Sequence, residues 1–117
     1  MDRKLRKYLF DIQNSIAEIE SFMEGHQKKY AEFQNDTLLR RGIERNMEIM
    51  GEAMNQVLKL NPEIQITSAR KVVDTRNYII HSYDTIMPEI LWGIIVNHLP
   101  LLKIEVNTLL EDSFSAC

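Results

Sequence analysis

The chain has very little cysteine, glycine or proline. Its 117 residues include one cysteine, four glycines and three prolines. Because the single thiol, Cys117, has no second thiol to pair with, an intramolecular disulfide is excluded. Glycine and proline most often mark the ends of helices and strands, so their scarcity leaves room for long regular elements.

Long apolar runs are missing too, and so is an excess of positive charge. The longest apolar runs, such as residues 90–96, fall far short of the roughly 20 residues needed to cross a bilayer. The start of the chain lacks the pattern of a signal peptide, so we expect a cytoplasmic protein. The formal net charge of −3 argues against indiscriminate coating of nucleic acid, and contact with RNA would need a local cluster of Arg and Lys.

What the chain does contain is the composition of one soluble domain. Hydrophobic residues make up 44% of it and charged residues 26%, which supplies enough apolar surface for a core without covalent crosslinks. We therefore expect a single domain over residues 1–117.

Two long helices are predicted in the first half, each from an aspartate followed by apolar residues at steps of three and four. Asp2 is placed to cap the first helix, and Gly25 is placed to end it. Residues 26–35 form a connector with one helical turn. Asp36 is placed to cap the second helix, which must end before Pro62. The two apolar stripes are Leu5, Leu9, Ile12, Ile16, Ile19 and Met23, then Leu39, Ile43, Met47, Met50, Met54 and Val57.

Two further helices are predicted in the second half. Thr67 or Ser68 would cap a third helix that continues to about Ser82. Pro88 suits the first position of a fourth, because its missing N–H has no helical partner there, and Pro100 predicts a kink or break within it. The core face of this fourth helix comprises Leu91, Ile95, Leu99, Leu102, Val106 and Leu109. A wider stripe, suited either to the core or to a partner, adds Ile90, Ile94, Leu101 and Leu110.

No segment shows the signals of a sheet. Sustained period-two alternation, glycine-rich phosphate loops and internal repeats are all absent from the sequence. The predicted fold is therefore all-α, an up-and-down bundle of four to five helices with antiparallel neighbours.

One nine-residue stretch, Arg76-Asn77-Tyr78-Ile79-Ile80-His81-Ser82-Tyr83-Asp84, concentrates polar groups on the predicted third helix. At about 100° per residue, Asn77, His81 and Asp84 are neighbours at spacings of four and three. Their amide and carboxylate are placed to fix the tautomer of the imidazole. Arg76 and Tyr83 form a second pair, two turns apart.

Arg76 and His81 supply two groups that phosphodiester chemistry needs. The guanidinium is a permanently charged, planar fork suited to phosphate, and imidazole exchanges protons near neutral pH. Cleavage of RNA without a metal requires a proton-transfer group and a cation that stabilises the charge building on phosphorus. A helix that merely exposes such side chains to solvent is the commoner source of this pattern, so the residues alone leave catalysis open.

The spacing Arg, four residues, His, one residue, Tyr is complete in Arg76, His81 and Tyr83, and it resembles the HEPN superfamily, specifically its HepT-like branch. The likeness extends over nearly the whole chain. Its further points are the long first helix, Gly51-Glu52-Ala53, Trp92 and Leu99-Pro100-Leu101. One departure is the loop at residues 62–66, which lacks the Trp expected from many relatives.

The resemblance implies the toxin of a bacterial toxin–antitoxin pair, a homodimeric, metal-independent endoribonuclease acting on tRNA or mRNA in a cleft between paired motif helices. It assigns phosphate binding to Arg76 and acid or base catalysis to His81, with Asn77 and Asp84 in support. The implied partner is a minimal nucleotidyltransferase antitoxin that silences the toxin by attaching AMP to Tyr83. The alternative is a non-catalytic HEPN-like dimer that binds a nucleotide or such a partner.

Other basic residues and one carboxylate are secondary candidates. Glu52 is expected to pair with Arg76 or His81 across the bundle, although a buried structural ion pair would give the same pattern. Five cations either rim an RNA cleft or simply face solvent, and they are Arg40, Arg41, Arg45, Arg70 and Lys71.

Histidine and cysteine do not form a metal-ligand set. His26 and His98 stand at no recognised ligand spacing from His81, and Cys117 is isolated. We therefore expect no metal site and no cofactor.

Overall fold

The computed structural model describes residues 2–24, 29–81 and 88–115, and over these residues every regular element is an α-helix. The side chains of His81 and of residues 113–115 lie outside this description. The helices are α1 (Arg3–Met23), α2 (Tyr30–Asn35), α3 (Thr37–Leu60), α4 (Ala69–His81), α5 (Pro88–Asn97) and α6 (Leu99–Ser115). The all-α prediction is confirmed.

The two long helices begin where the sequence predicted. Asp2 caps α1, its Oδ1 accepting from the backbone N–H of Lys4 at 2.6 Å, and Asp36 caps α3 by accepting from Leu39 N at 2.9 Å. Every residue of both predicted apolar stripes is buried. These two stripes face each other, since α1 packs against α3. The predicted end at Gly25 lies outside the described residues.

The described part of the chain contains six helices, two more than the four long ones that the apolar stripes suggest. One is the short α2, whose Phe33 is buried and lies 5.4 Å from the Trp92 ring of α5, centroid to centroid. The other arises because the predicted fourth helix is divided at His98, between α5 and α6. Pro100 stands in the first turn of α6, where its missing N–H costs no hydrogen bond.

The break at His98 changes which side chains of the last two helices reach the core. Ile94 and Leu110 are almost fully buried, whereas Ile95 and Leu109, which the single-helix pattern placed in the core, are only partly buried. The predicted core positions of Ile95 and Leu109 were wrong here. α5 packs against α2, α3 and α6, whereas α6 packs against α1, so the two helices do not bury one continuous face. Leu101 remains 43% exposed.

The order of packing places α4 at one side of the bundle. α3 lies between α1 and α4, and α6 lies on another side of α1. The motif helix therefore rests on α3, and Arg76 and Ile80 near its carboxyl end border a surface that α1 also reaches. None of the described helices combines the length and apolar composition needed to cross a membrane.

Candidate functional site

Arg76 lies near the carboxyl end of α4 and continues the buried face of that helix. Val72 and Val73, four and three residues earlier, are buried, and α4 packs against α3. Because residues three and four apart share a helix face, the Arg76 stem is directed toward α3 as well. Its side chain is 27% exposed, so the guanidinium reaches the edge of the interface rather than open solvent.

Gly51 of α3 makes this arrangement possible. A Cβ atom added to Gly51 would overlap the Cβ of Arg76, approach its Cγ to 2.7 Å, and lie 3.1 Å from the carbonyl oxygen of Val72. Any side chain at residue 51 would push α4 away from α3. Gly51 of the Gly51-Glu52-Ala53 triplet thus leaves the space in which the Arg76 side chain packs.

Two acceptors fix the orientation of the Arg76 guanidinium. Glu52 Oε2 lies 2.9 Å from Nη2, and Asn77 Oδ1 accepts a hydrogen bond from Nη1 at 3.0 Å. The predicted Glu52–Arg76 pair is present, but at 27% and 51% side-chain exposure it is not buried. Pairs this exposed contribute only about 0–1 kcal/mol to stability, so its main effect is to hold the guanidinium plane.

Asn77 belongs with Arg76 in this structure. Its amide oxygen accepts from the guanidinium, whereas the sequence grouped it with the imidazole of His81. Helix angles place residues i and i+4 side by side, but a long arginine side chain also reaches its immediate neighbour. Whether Asn77 also contacts His81 lies outside the described side chains.

Arg76 opens onto a cleft of about 540 Å³ between α1, α3 and α4, which we call the charged cleft. Three ion pairs border it, Lys7–Asp11 at 3.3 Å, Arg45–Glu48 at 3.3 Å and Arg76–Glu52 at 2.9 Å. Its walls are formed by Lys7, Tyr8 and Asp11 from α1, Arg45, Glu48, Ile49, Glu52 and Ala53 from α3, and Arg76 and Ile80 from α4.

The remaining motif residues follow Arg76 at the end of the helix. His81 is the last residue of α4, about 7.5 Å further along the axis than Arg76 at 1.5 Å per residue. The AMP-acceptor prediction at Tyr83 and the supporting role predicted for Asp84 fall outside the described residues.

The amino end of α4 is tied to α6, and to His98 just before α6, by side chains that sequence reasoning missed. Glu105 accepts from the backbone N–H of Thr67 at 3.0 Å and from its hydroxyl at 2.9 Å. Ser68 Oγ lies 3.2 Å from His98 Nδ1. Ser68 still precedes the helix as predicted, since its carbonyl accepts from Val72 N at 3.0 Å. Partners 30 and 38 residues away leave no local signal in the sequence.

Only one of the five secondary basic candidates borders the charged cleft. Arg45 does so, whereas Arg70 and Lys71 are exposed elsewhere on α4. Arg40 and Arg41 line a separate depression of about 120 Å³ with Glu44. Burial raises the pKa of the Glu44 carboxyl, against the opposing effect of the two arginines.

Lys7, Tyr8 and Asp11 were not predicted as site residues. A signal was present, because α1 begins with several cations close together, but their place beside Arg76 depends on the packing of α1 against α3. In the described segments, no three His, Cys, Asp or Glu residues are grouped as a metal site requires.

The fold and site together define a class, a small helical bundle whose motif arginine opens onto a cleft of paired charges. Comparison with known proteins identifies the family within this class. The family described as "Ribonuclease HepT-like" matches residues 12–109, and the chain belongs to this HepT-like ribonuclease family. No solved structure matches the chain significantly.

Three curated relatives cover almost the full chain. "Putative RNase MJ1380" of Methanocaldococcus jannaschii is 30% identical over 90% of this chain and 95% of its own length. "Probable ribonuclease HepT" of Thermococcus cleftensis is 31% identical over 88% and 93%. "Putative RNase MJ0127", also of Methanocaldococcus jannaschii, is 25% identical over 94% and 90%.

Proposed function

We propose that this chain is a metal-independent endoribonuclease that cleaves RNA with Arg76 and His81. The observation that carries the proposal is the guanidinium of Arg76, held by Glu52 and Asn77 at the edge of the charged cleft, five residues before His81 on the same helix. Membership of a ribonuclease family supports the same chemistry.

The reaction needs no group beyond those two side chains, the RNA and water. The 2′-hydroxyl loses its proton and attacks the adjacent phosphorus, and the bond from phosphorus to the 5′-oxygen breaks. The products are a 2′,3′-cyclic phosphate and a 5′-hydroxyl that has gained a proton. Arg76 stabilises the developing charge on the phosphoryl oxygens, His81 transfers a proton at one of the two oxygens, and water exchanges the proton at the other.

We further propose that two copies pair beside the motif helix. Two large apolar side chains that line the charged cleft with Arg76 are exposed in the single chain, namely Ile49 at 36% and Ile80 at 47%. Clustered apolar exposure of this kind supports association. Pairing there would bring two copies of Arg76 and His81 to one composite cleft, which tRNA or mRNA would enter as a single strand.

Regulation by a nucleotidyltransferase antitoxin completes the proposal. The Tyr83 hydroxyl would attack the α-phosphorus of ATP bound by that partner, forming tyrosyl-AMP and releasing pyrophosphate. The added nucleotide is bulky and anionic, and it stands two residues after His81 in sequence. It would therefore compete with RNA for the cation that cleavage requires.

Cleavage of labelled RNA in the presence of a chelator tests the catalytic proposal. The unmodified protein should cut, and the Arg76→Ala and His81→Ala variants should each lose cleavage while keeping the helical circular dichroism of the parent. Cleavage that survives both substitutions would show that the site lies elsewhere. Binding of RNA without any cleavage would favour the non-catalytic alternative.

Mass spectrometry tests the regulatory proposal. After co-expression with a nucleotidyltransferase encoded beside the gene, the intact protein should gain the mass of one AMP, and Tyr83→Phe should prevent the gain. Modification that persists in Tyr83→Phe would assign the acceptor to another residue.

Sedimentation of the purified chain tests the dimer, with Ile80→Glu expected to shift it toward monomer.

A further inference from the structure

Positive charge is concentrated at the start of a chain that is acidic overall. Residues 2–8 contain four cations, Arg3, Lys4, Arg6 and Lys7, and one carboxylate, Asp2. Without this segment the chain keeps 10 basic and 16 acidic residues. The segment therefore carries a net charge of +3, while the remainder carries −6. It is a local basic cluster of the kind that an acidic protein needs in order to contact RNA.

Helix stability does not account for this cluster. The amino end of a helix carries partial positive charge, so cations in the first turns of α1 are unfavourable there. The first turn contains no acidic residue to offset them, because Asp2 precedes the helix as its cap. Within the described segments, neither Arg3 nor Lys4 forms a side-chain ion pair.

Two residues of this segment border the charged cleft. Lys7 and Tyr8, together with Asp11, form its α1 wall, across from Arg45 and Arg76. The Lys7 ammonium lies 5.1 Å from the centre of the Tyr8 ring. Its ion pair with Asp11 spans 3.3 Å at 69% and 37% side-chain exposure, so a phosphate can replace the carboxylate at little cost.

Lys4 extends this wall by one turn. At about 100° per residue, Lys4 lies between Lys7 and Tyr8 in angle around the α1 axis, about 100° from the buried Leu5 and about 140° from the buried Leu9. It is exposed. A strip of two ammonium groups and one aromatic ring thus runs from the Arg76 cleft toward the start of α1.

We propose that Lys4, Lys7 and Tyr8, here called the α1 strip, bind single-stranded RNA next to the bond that is cut. The two ammonium groups contact phosphates that flank the scissile one, and the Tyr8 ring stacks against an unpaired base. Cations that follow a backbone beside an aromatic platform are the general means of holding single strands. The inference rests on the proposed ribonuclease function and adds the position of the substrate.

Binding measurements in a cleavage-deficient background separate the two proposals. In His81→Ala protein, the dissociation constant of a short fluorescein-labelled RNA of mixed sequence is measured by anisotropy at several salt concentrations. Lys4→Ala/Lys7→Ala should weaken binding about tenfold or more and reduce the slope of log K against log salt by about 1.4, as expected for two lost phosphate contacts on a single strand.

The tyrosine is tested by a second pair of variants. Tyr8→Ala should weaken binding several-fold with the salt slope unchanged, because stacking releases no counterions, whereas Tyr8→Phe should bind like the parent. The matched charge control is Lys29→Ala/Lys103→Ala. These two cations are exposed and neither borders the charged cleft, so affinity and slope should stay the same.

Three results would overturn the α1 strip. One is strip variants that bind RNA like the parent, and another is control variants that weaken binding equally. The third is a changed sedimentation mass in the lysine variants, which would make the strip an interface between copies. In each case, RNA cleavage by unmodified protein and its loss in His81→Ala would leave the ribonuclease proposal standing. A chain that neither binds nor cleaves RNA would remove both proposals.

Discussion

Two depressions of almost equal size lie along α1, and they differ in the chemistry of their linings. The charged cleft has a volume of about 540 Å³ near the start of the helix. Near its end, between α1, α5 and α6, lies a second depression of about 550 Å³, which we call the apolar groove. Its lining includes Met23, Trp92, Val96 and Ile104. Size therefore does not distinguish a site in this bundle, whereas the chemistry of the lining does.

An ion pair at the rim does not distinguish them either. Lys103 and Glu20 pair at 3.0 Å beside the apolar groove, much as Arg76 and Glu52 pair at 2.9 Å in the charged cleft. The difference is in how the cation is held. Lys103 is 47% exposed with one acceptor, whereas Arg76 is 27% exposed, has two acceptors and rests on Gly51. An arginine fixed this way is already oriented before a phosphate arrives.

The largest effect should come from removing the cation of the charged cleft, and the cation of the apolar groove provides the comparison. Arg76→Ala should lower kcat for RNA cleavage by at least about 100-fold, because it removes charge stabilisation at the transition state. Lys103→Ala should leave cleavage unchanged. Single-turnover cleavage with a chelator present measures both. Equal losses would mean that general charge, and not the held guanidinium, drives the reaction.

The next comparison is between two glycines, Gly51 packed against Arg76 and Gly93 on α5. Gly51→Ala should reduce cleavage about tenfold or more by displacing Arg76 and should destabilise the fold by about 1–3 kcal/mol through overpacking. Gly93→Ala on α5 meets nothing closer than Asn97 Nδ2 at 4.0 Å and should stabilise the fold by about 0.5–1 kcal/mol. Urea unfolding and cleavage rates measure both. Full activity in Gly51→Ala would contradict the role of Gly51 in positioning Arg76.

A smaller effect is expected from the two carboxylates that pair with these cations. Glu52→Gln should lower kcat several-fold with little change in KM, because it loosens the orientation of Arg76 without removing it. Its free energy of unfolding should change by no more than about 1 kcal/mol. Glu20→Gln should show a similar small change in stability and no change in kcat. A rise in KM alone would instead indicate that Glu52 contacts substrate.

The smallest effect concerns Glu44, which lies outside both depressions. Burial raises its pKa, so the native state holds its proton more tightly than the unfolded chain does. The stability this group contributes is complete below the unfolded pKa and is lost as pH rises through the folded pKa. Glu44→Gln should therefore unfold at higher urea than the parent at pH 7. The difference should vanish near pH 4, and a constant difference would assign it to packing.

The parts of the structure that were predicted correctly depend on neighbours in sequence. Asp2 and Asp36 cap their helices because an N-cap bonds to N–H groups two or three residues on, and both apolar stripes repeat within a few residues. The predicted burial of Ile95 was wrong because α5 and α6, separated at His98, pack against different helices.

The site divides in the same way. The spacing of Arg76 and His81 on one helix and the Glu52 partner were predictable from sequence. The contribution of Lys7 and Tyr8 to the cleft wall, and the hold of Glu105 on the start of α4, were not. No local pattern indicates which distant residues Lys7, Tyr8 and Glu105 meet.

The sequence by itself determined where the long helices begin, which stripes are apolar, and that an arginine and a histidine lie five residues apart on a third helix. Those properties follow from backbone periodicity and short-range hydrogen bonds. Only the tertiary structure decided that Arg76 rests on Gly51, bonds to Glu52 and Asn77, and opens onto a cleft shared with α1. The physical reason is that periodicity sets angles around one helix axis, whereas the packing of buried surfaces decides which other helix lies across from it.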